Sequence, residues 1–447
     1  MLIEKGTDKA VYTLRVQVDD ARGNLGKVFM TIDEAGAGVG DITRAGSGLN
    51  HTTRDIDVLV NDQEHLNRIL EGLGQLDGTR IQKVSNHVEE MHLGGKIAVT
   101  PRQKVRGISD VRKLYTPGVA YICKQIQSDE ALYTRYTYVQ NTVAIVTNGT
   151  AILGLGDIGV KAGMPVMEGK ALLFSSLVGI NGVPVLVDSR DPDEIVRTVT
   201  AIAKGFGAVQ LEDIASPACF EVEDRLAAAL DIPVMHDDQH GTAVVVLASL
   251  LNSCKYTGMQ IRGASVGIIG LGAAGIGIAK LLMAFGVESI AGTDIAAPAM
   301  ARLEELGGRA TDLGSIMERS DIVIATTGVP GLIKPEMVRR RQAIFALSNP
   351  NPEIRPEDAL AAGAIFAADG RSVNNALPFP GLFKGALTAD ARCVNNRMKI
   401  AAAEAIADEA DEGELVPYLL KEGLHHRVAQ KVERAAFETG ANIHKSE

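Results

Sequence analysis

The stretch that decides the fold is Gly270-Leu-Gly-Ala-Ala-Gly275. It follows an apolar run at residues 264–269 and opens a second apolar run, with helical spacing, at residues 276–285. A strand, a glycine-rich turn and a helix in this order are typical of a dinucleotide site, because the glycines let backbone N–H groups approach a pyrophosphate at the helix N-terminus. The predicted cofactor-binding residues of this turn are Gly270, Gly272, Ala273 and Gly275.

An acidic residue completes this pattern. The next apolar strand, at residues 289–294, ends in Asp294, about twenty residues beyond the turn, where a carboxylate accepts hydrogen bonds from the ribose of NAD. The same carboxylate repels the 2′-phosphate of NADP, and no basic residue follows before Arg302. We therefore predict NAD. The alternative is that a distant loop with arginines at 339–341 sets the choice of cofactor.

Strands and helices alternate on both sides of the turn. The pattern predicts strands at residues 142–147, 184–188, 208–211, 234–236, 264–269, 289–294, 321–326 and 343–348. Such alternation is typical of an α/β fold with parallel sheets covered by helices on both faces. We predict a catalytic α/β domain over residues 91–240, joined by C-terminal helices from 391–447, and a Rossmann-type, doubly wound NAD-binding domain over residues 241–390.

Residues 1–90 are predicted to form a separate module, followed by a connector at 91–104. Strands at 11–18, 39–45, 56–60 and 81–88 enclose helices at 25–32 and 66–73, the second capped by Asn61 or Asp62. The order βαββαβ is the ferredoxin-like unit. Its length, order and glycine-bearing first turn resemble an ACT regulatory domain, which implies a small effector. A dimerisation module without a ligand is the alternative.

Composition narrows the class of protein. Of 447 residues, 46% are apolar and 22% are charged, which is typical of globular domains. The net charge of −10 argues against nucleic acid as a partner, and no stretch reads as a membrane span or a signal segment. The four cysteines lie far apart without a CxxC pair, so we expect a cytoplasmic, reducing environment and no structural zinc site.

A second glycine pattern lies at residues 154–159. Asp157 would place a negative charge where a pyrophosphate binds, and residues 163–165 interrupt the helix that should follow. We therefore interpret this segment as structural, or as part of the substrate side, in preference to a second nucleotide site.

Two acidic pairs follow predicted neighbouring strands: Glu212-Asp213 after residues 208–211, and Asp237-Asp238 after residues 234–236. Because the carboxyl ends of parallel strands converge at one crevice, these side chains are expected to meet there. Carboxylate oxygens suit Mg²⁺ or Mn²⁺. His236 and His240 flank the second pair, but no further His or Cys is spaced to complete a zinc site.

Two further residues are weak signals when each is taken alone. Lys170 follows Gly169 and precedes an apolar run, so it is either a surface lysine at a helix start or a partly desolvated lysine near a metal. In the second case it would lose proton affinity and act as a base. Tyr115 precedes Thr-Pro-Gly and could be an ordinary turn tyrosine.

Taken together, these motifs resemble malic enzyme, most closely its short bacterial branch, from about residue 96 to the C-terminus. The matching segments are residues 115–120, 148–159, 167–170, 212–213, 236–242, 348–350 and 373–375. The resemblance implies oxidative decarboxylation of (S)-malate to pyruvate and CO₂ with reduction of NAD, dependent on Mg²⁺ or Mn²⁺. It also implies a homodimer or higher homo-oligomer.

The resemblance assigns roles by position. Lys170 matches the general base, Tyr115 the general acid and Asp237 the carboxylate that partners the lysine. The predicted metal ligands are Glu212, Asp213 and Asp238. Asn349 and Asn375 match the residues that contact malate, and Thr327 and Asn349 complete the predicted cofactor set.

One position departs from the family. The larger eukaryotic branch has an arginine that helps to clamp malate, and this chain has Ala151 there. The group that holds the second carboxylate is therefore not identified by the resemblance. Tyr115, close to the connector, could reach the active site of a neighbouring subunit.

Two other functions stay open at this point. One is a metal-assisted 2-hydroxy-acid dehydrogenase that does not decarboxylate its substrate. The other is a non-enzymatic, amino-acid-sensing regulator, against which the intact Tyr115, Lys170 and acidic residues argue. A fusion with a phosphate acetyltransferase would need a longer chain.

Overall fold

The computed structural model describes residues 10–371, 373 and 375–442. The chain divides into two compact units, one ending at Lys96 and the other beginning at Ile97, within the predicted connector. The predicted boundaries at residues 240 and 390 stay predictions. Residues 1–9 of the predicted first domain and 443–447 of the predicted C-terminal segment lie outside the described residues.

The N-terminal unit has the predicted βαββαβ order. Its elements are β1 (Ala10–Asp19), α1 (Asn24–Glu34), β2 (Gly38–Ser47), β3 (His51–Val60), α2 (Gln63–Gly74), β4 (Thr79–Asn86) and α3 (His87–His92). The sheet is antiparallel with strand order β2-β3-β1-β4. Alternation along β1 buries Leu14, Val16 and Val18 in one core, which stabilises the unit through the apolar surface removed from water.

Polar N-cap side chains set where two helices of the N-terminal unit begin. Asp62 accepts a hydrogen bond from the His65 N–H at 2.7 Å and caps α2, which confirms one of the two predicted caps. The predicted strand at residues 81–88 runs too far. The Asn86 side chain accepts from the Val88 N–H at 3.0 Å and starts α3 instead.

The larger unit contains two parallel sheets and the helices around them. Its strands are β5 (Thr142–Thr147), β6 (Asn181–Leu186), β7 (Ala208–Leu211), β8 (Val234–His236), β9 (Ser265–Ile269), β10 (Ser289–Thr293), β11 (Arg309–Ala310), β12 (Ile322–Ala325), β13 (Ala343–Ala346) and β14 (Phe366–Asp369). The predicted strand at 184–188 starts earlier, at Asn181. Pro184 lies inside it because β6 is an edge strand, where a missing N–H is tolerated.

The helices of this unit are α4 (Ile108–Leu114), α5 (Gly118–Ser128), α6 (Leu132–Tyr136), α7 (Met164–Val178), α8 (Pro192–Ile202), α9 (Ala218–Ala229), α10 (Asp237–Thr257), α11 (Ala273–Phe285), α12 (Ala297–Glu305), α13 (Leu313–Arg319), α14 (Pro356–Ala361), α15 (Pro378–Thr388), α16 (Asn396–Asp408) and α17 (Leu424–Glu438). α10 is buried along most of its length and packs against α11 and α16, while α15 packs against α7 and α17. Of the described helices, none combines the length and the apolar character that crossing a bilayer requires.

Both sheets are doubly wound, an arrangement that the sequence predicted for the NAD-binding sheet alone. The first has strand order β6-β5-β7-β8, and the second has order β11-β10-β9-β12-β13-β14, which is the Rossmann order. Every pairing in the two sheets is parallel. Ligands bind such sheets at the carboxyl ends of the strands, beside the point where the strand order reverses. This point lies between β5 and β7 in the first sheet and between β9 and β12 in the second.

Candidate active site

A cavity of about 650 Å³ opens among segments that follow strands of both sheets. Lys170, Glu212, Asp213 and Asp238 line it, and so do Ala274, Asn349 and Asn375. The dinucleotide turn and the polar residues predicted from separate motifs therefore share one space.

Lys170 lies inside this polar cluster. It projects from α7, is only 9% exposed, and its Nζ lies 2.5 Å from Asp237 Oδ2 and 3.0 Å from Glu212 Oε1. The same nitrogen is 4.6 Å from the centre of the Phe379 ring. Lys170 is therefore a buried, doubly paired ammonium group, and the interpretation as a surface lysine at a helix start is wrong.

The carboxylates beside Lys170 change its affinity for a proton. Burial by itself lowers the pKa of Lys170, but attraction to Asp237 and Glu212 more than offsets burial, and the pKa rises above its ordinary value. Two carboxylates within hydrogen-bonding distance therefore stabilise the ammonium form. The predicted loss of proton affinity refers to a lysine beside a bound metal, and it stays a prediction.

Three carboxylates form the predicted metal cluster. Ligand oxygens of Glu212, Asp213 and Asp238 all lie within 4.8 Å of one another. The Asp213 N–H donates to Asp238 Oδ2 at 3.1 Å, while Asp213 Oδ2 is buried without a hydrogen-bond partner among the described residues. An oxygen-only set with an unpartnered buried oxygen fits a hard divalent cation such as Mg²⁺ or Mn²⁺.

The electrostatics of the cluster favour a cation. Burial and the neighbouring carboxylates raise the pKa of Asp213 to about 7, and they raise that of Glu212 well above its ordinary value. Asp213 also holds a left-handed backbone conformation, with φ of 54°, which is costly for a residue other than glycine. A cation bound beside these carboxyl groups would stabilise their ionised form.

The two histidines beside the carboxylates make other contacts. His240 Nε2 lies 3.0 Å from Glu223 Oε2, and its Nδ1 lies 2.9 Å from Lys399 Nζ. Glu223 also accepts the His236 N–H at 2.8 Å and Gln239 Nε2 at 2.9 Å. This buried network holds the start of α10, from which Asp237 and Asp238 project. Sequence reasoning missed Glu223 and Lys399, which carry no local signal.

The dinucleotide turn has the geometry that its glycines predict. Gly270 adopts φ of 91°, and a Cβ at Gly275 would collide with the Gly270 carbonyl oxygen. A Cβ at Gly272, the N-cap of α11, would meet no atom within 4 Å, so the space beside the helix N-terminus is open. Asp294 Oδ2 accepts the Leu271 N–H at 2.7 Å and ties the acidic strand end to the turn.

The basic residues weighed for NADP lie elsewhere. The Arg302 guanidinium stacks on the Phe220 ring, 4.3 Å from its centre. Arg339 donates to the Ser320 carbonyl and to Asp321 at 2.9 Å, beside the amino end of β12. The dinucleotide turn follows the carboxyl end of β9, which runs parallel to β12. The loop that contains Arg339 therefore lies at the opposite ends of the strands.

Three residues predicted to bind the cofactor or malate lie in the segments that follow strands of the second sheet. Asn349 and Asn375 line the cavity, whereas Thr327 turns to Glu353. Glu353 is fully buried and accepts the Thr327 N–H at 2.7 Å and the Ser348 hydroxyl at 2.5 Å. It thereby ties together the loops after β12 and β13. Glu353 was not predicted, because an acidic residue between two prolines gives no pattern.

The second glycine pattern lies beside the same cavity. After β5 the chain forms a loop with positive φ at Gly154, Gly156 and Gly159, and α7 starts only at Met164. Gly154 and Ala151 line the cavity. The strand, turn and helix of a nucleotide site are absent from this described segment.

Tyr115 does not join the cluster within one chain. It is 69% exposed and is not among the described residues that line the cavity. The neighbouring helices α4, α5 and α6 bury none of their described side chains. The structure thus brings together every predicted catalytic and metal-binding residue except Tyr115.

A Rossmann-ordered sheet with a dinucleotide turn, opening on a buried lysine and a carboxylate cluster, defines a dinucleotide-dependent oxidoreductase. Residues 103–227 match the family "Malic enzyme, N-terminal domain", and residues 226–330 match "D-isomer specific 2-hydroxyacid dehydrogenase, NAD binding domain". The chain belongs to the malic enzyme family.

Relatives over nearly the whole chain support this membership. The chain is 51% identical to NAD-dependent malic enzyme 1 of Bacillus subtilis, over 96% of this chain and 98% of that protein. It is 40% identical to the NAD-dependent malic enzyme of Geobacillus stearothermophilus, over 96% and 95% of the two chains. Among solved structures, malic enzyme from Pyrococcus horikoshii superposes with a TM-score of 0.75 at 37% identity, covering 80% of this chain and 93% of that one.

Proposed function

We propose that this chain catalyses the oxidative decarboxylation of (S)-malate to pyruvate and CO₂ with reduction of NAD⁺. The observation that carries the proposal is the shared cavity. Lys170 and three carboxylates line it, and so does Ala274 of α11, the helix that follows the dinucleotide turn. Family membership supports the same reaction, as do the NAD-dependent malic enzymes that match the chain over almost all its length.

In this mechanism Lys170 accepts the proton of the malate C2 hydroxyl. Asp237 and Glu212 hold its Nζ at 2.5 and 3.0 Å, so the amine is oriented and its protonated form is stabilised. Asn349 and Asn375 donate hydrogen bonds that orient malate in the cavity. The chemistry that bound NAD⁺ supplies is acceptance of hydride from C2.

Glu212, Asp213 and Asp238 are the residues that would hold the metal. A bound divalent cation supplies Lewis-acid polarisation of a substrate oxygen and a positive charge that lowers the pKa of Lys170. The oxygen-only donor set and the unpartnered Asp213 Oδ2 fit this group.

Tyr115 is the proposed acid that delivers a proton to C3 after CO₂ has left. Its phenol hydroxyl is a hydrogen-bond donor and can serve as a general acid. Since Tyr115 lies outside the cavity of its own chain, we infer that the enzyme is a homodimer in which Tyr115 enters the partner's active site. Exposed Val105, Ile108 and Tyr121 around it supply apolar surface for such an association.

The N-terminal unit is proposed to be an ACT-like regulatory domain that binds a small effector. The support is its ferredoxin-like strand order and the left-handed Gly23, φ of 88°, in the turn between β1 and α1. An unchanged melting temperature of the intact enzyme across a panel of free amino acids would favour the dimerisation role instead.

The enzyme is proposed to work in the cytoplasm, and its four free cysteines agree with a reducing environment.

A steady-state assay with malate, NAD⁺ or NADP⁺, and Mg²⁺ or Mn²⁺ tests the function. We expect pyruvate, CO₂ and NADH to appear in equal amounts. Accumulation of oxaloacetate without CO₂ would establish the 2-hydroxy-acid dehydrogenase instead, and the absence of any turnover would favour the regulator.

A further inference from the structure

Malate in this cavity needs a cationic side chain other than Lys170. Malate carries two carboxylates, and the cavity already contains those of Glu212, Asp213 and Asp238. The cationic side chains among the described lining residues are Lys170 and Arg371. The Lys170 ammonium is held by Asp237 and Glu212, so a substrate carboxylate remote from it needs another partner.

The other polar groups do not supply that charge. Asn349 and Asn375 are neutral amides, and Ala151 presents only a methyl group. A hydrogen bond between ionised partners is roughly twice as strong as one between neutral groups, and a guanidinium can bind both oxygens of a carboxylate at once. A carboxylate in this cavity is therefore best matched by an arginine.

Arg371 lies in the turn after β14 and has no ion pair with any described residue. Its N–H donates to Asp369 Oδ1 at 3.1 Å, which fixes the backbone of the turn. A Cβ at Gly370 would collide with the Leu347 carbonyl oxygen and lie 2.7 Å from Asn349 Nδ2. The turn is thus pressed against the segment that carries Asn349, and only glycine at position 370 allows this approach.

We propose that Arg371 binds the C4 carboxylate of malate and selects dicarboxylic 2-hydroxy acids over monocarboxylic ones. The inference rests on the proposed function and adds a specificity residue to it. Arg371 binds and orients the substrate, and it takes no proton. Its loss therefore raises KM for malate more than it lowers kcat.

The test compares Arg371→Gln with Arg319→Gln, a matched loss of charge at an exposed arginine outside the cavity. (S)-2-Hydroxybutyrate, which has a methyl group where malate has the C4 carboxylate, is the probe, used as an inhibitor against malate. We expect Arg371→Gln to raise KM for malate by roughly ten- to hundredfold, while the inhibition constant of 2-hydroxybutyrate and KM for NAD⁺ stay unchanged. Added guanidinium at millimolar concentration should restore part of the loss.

Two results would overturn the inference. One is an Arg371→Gln enzyme that matches Arg319→Gln in every constant. The other is an equal weakening of malate and 2-hydroxybutyrate, which would place the contact elsewhere on the substrate or make it structural. Both leave the proposed function standing as long as the parent enzyme forms pyruvate and CO₂. If the parent enzyme forms neither product, the proposed function itself fails.

Discussion

Lys170 Nζ lies 2.5 Å from Asp237 Oδ2, although the two residues are 67 positions apart in sequence. α7 supplies the lysine and the first turn of α10 supplies the carboxylate, and both groups are buried. A buried ion pair is costly to break, because the partner left behind keeps its charge without water or a counter-ion. The pair therefore fixes where the lysine can act.

Replacement of the lysine tests its role as a base. We expect Lys170→Ala to lower kcat by roughly 10²- to 10⁴-fold, since a positioned proton acceptor is lost. Affinity for NAD⁺, measured by equilibrium titration, should be retained, because the dinucleotide turn is untouched. Turnover close to that of the parent would remove Lys170 from the mechanism.

Removal of one metal ligand should weaken the metal without destroying the fold. We expect Asp238→Ala or Glu212→Ala to raise the Mg²⁺ or Mn²⁺ concentration needed for half-maximal activity, because each loses a charged oxygen ligand. The measurement is an activity titration with each metal. Exposed Asp224→Ala on α9 is the control, and variant curves that superimpose on its curve would contradict the assignment.

Mixed subunits test whether Tyr115 acts in the neighbouring site. Tyr115→Phe and Lys170→Ala are each expected to be nearly inactive as homodimers. In a verified heterodimer of the two, sharing in trans rebuilds one complete site, and activity returns. If heterodimers stay as inactive as their parents, Tyr115 does not act across the interface.

Cofactor choice follows from Asp294 and from the position of the arginines. We expect kcat/KM to favour NAD⁺ over NADP⁺, because a 2′-phosphate beside this carboxylate is repelled and Arg302 is stacked on Phe220. The ratio is measured at saturating malate and metal. A preference for NADP⁺ of tenfold, about 1.4 kcal/mol in transition-state terms, would contradict this expectation.

The buried network behind α10 predicts an acid-sensitive contribution to stability. Burial by itself raises the pKa of Glu223, but attraction to His240 and Lys399 more than offsets burial, and the pKa falls to about 2 from an ordinary 4.5. A depressed carboxylate pKa stabilises the fold above pH 4.5, and this contribution is lost as the pH falls toward 2.

Glu223→Gln should therefore lower the urea midpoint at pH 7 and flatten its fall below pH 4.5. Glu221→Gln, at an exposed position on the same helix, is the matched control. Equal midpoints for the two variants at pH 7, with equal slopes below pH 4.5, would show that Glu223 makes no such contribution.

Local sequence patterns predicted much of the architecture. The run from residue 264 to Asp294 predicted a strand, a glycine turn, a helix and an acidic strand end, and the structure has all four. Such features are readable because hydrophobic periodicity and the backbone freedom of glycine act within a few neighbouring residues. The same holds for the βαββαβ order of the N-terminal unit.

The sequence by itself determined the sheets, the dinucleotide turn and the acidic pairs at the ends of β7 and β8. Only the tertiary structure decided which side chains share the cavity: it paired Lys170 with Asp237, brought Arg371 beside Asn349, and left Tyr115 on the surface. Contacts between residues so far apart in the chain follow from how helices and sheets pack against one another. Packing of this kind depends on the whole core, so no short segment can encode it.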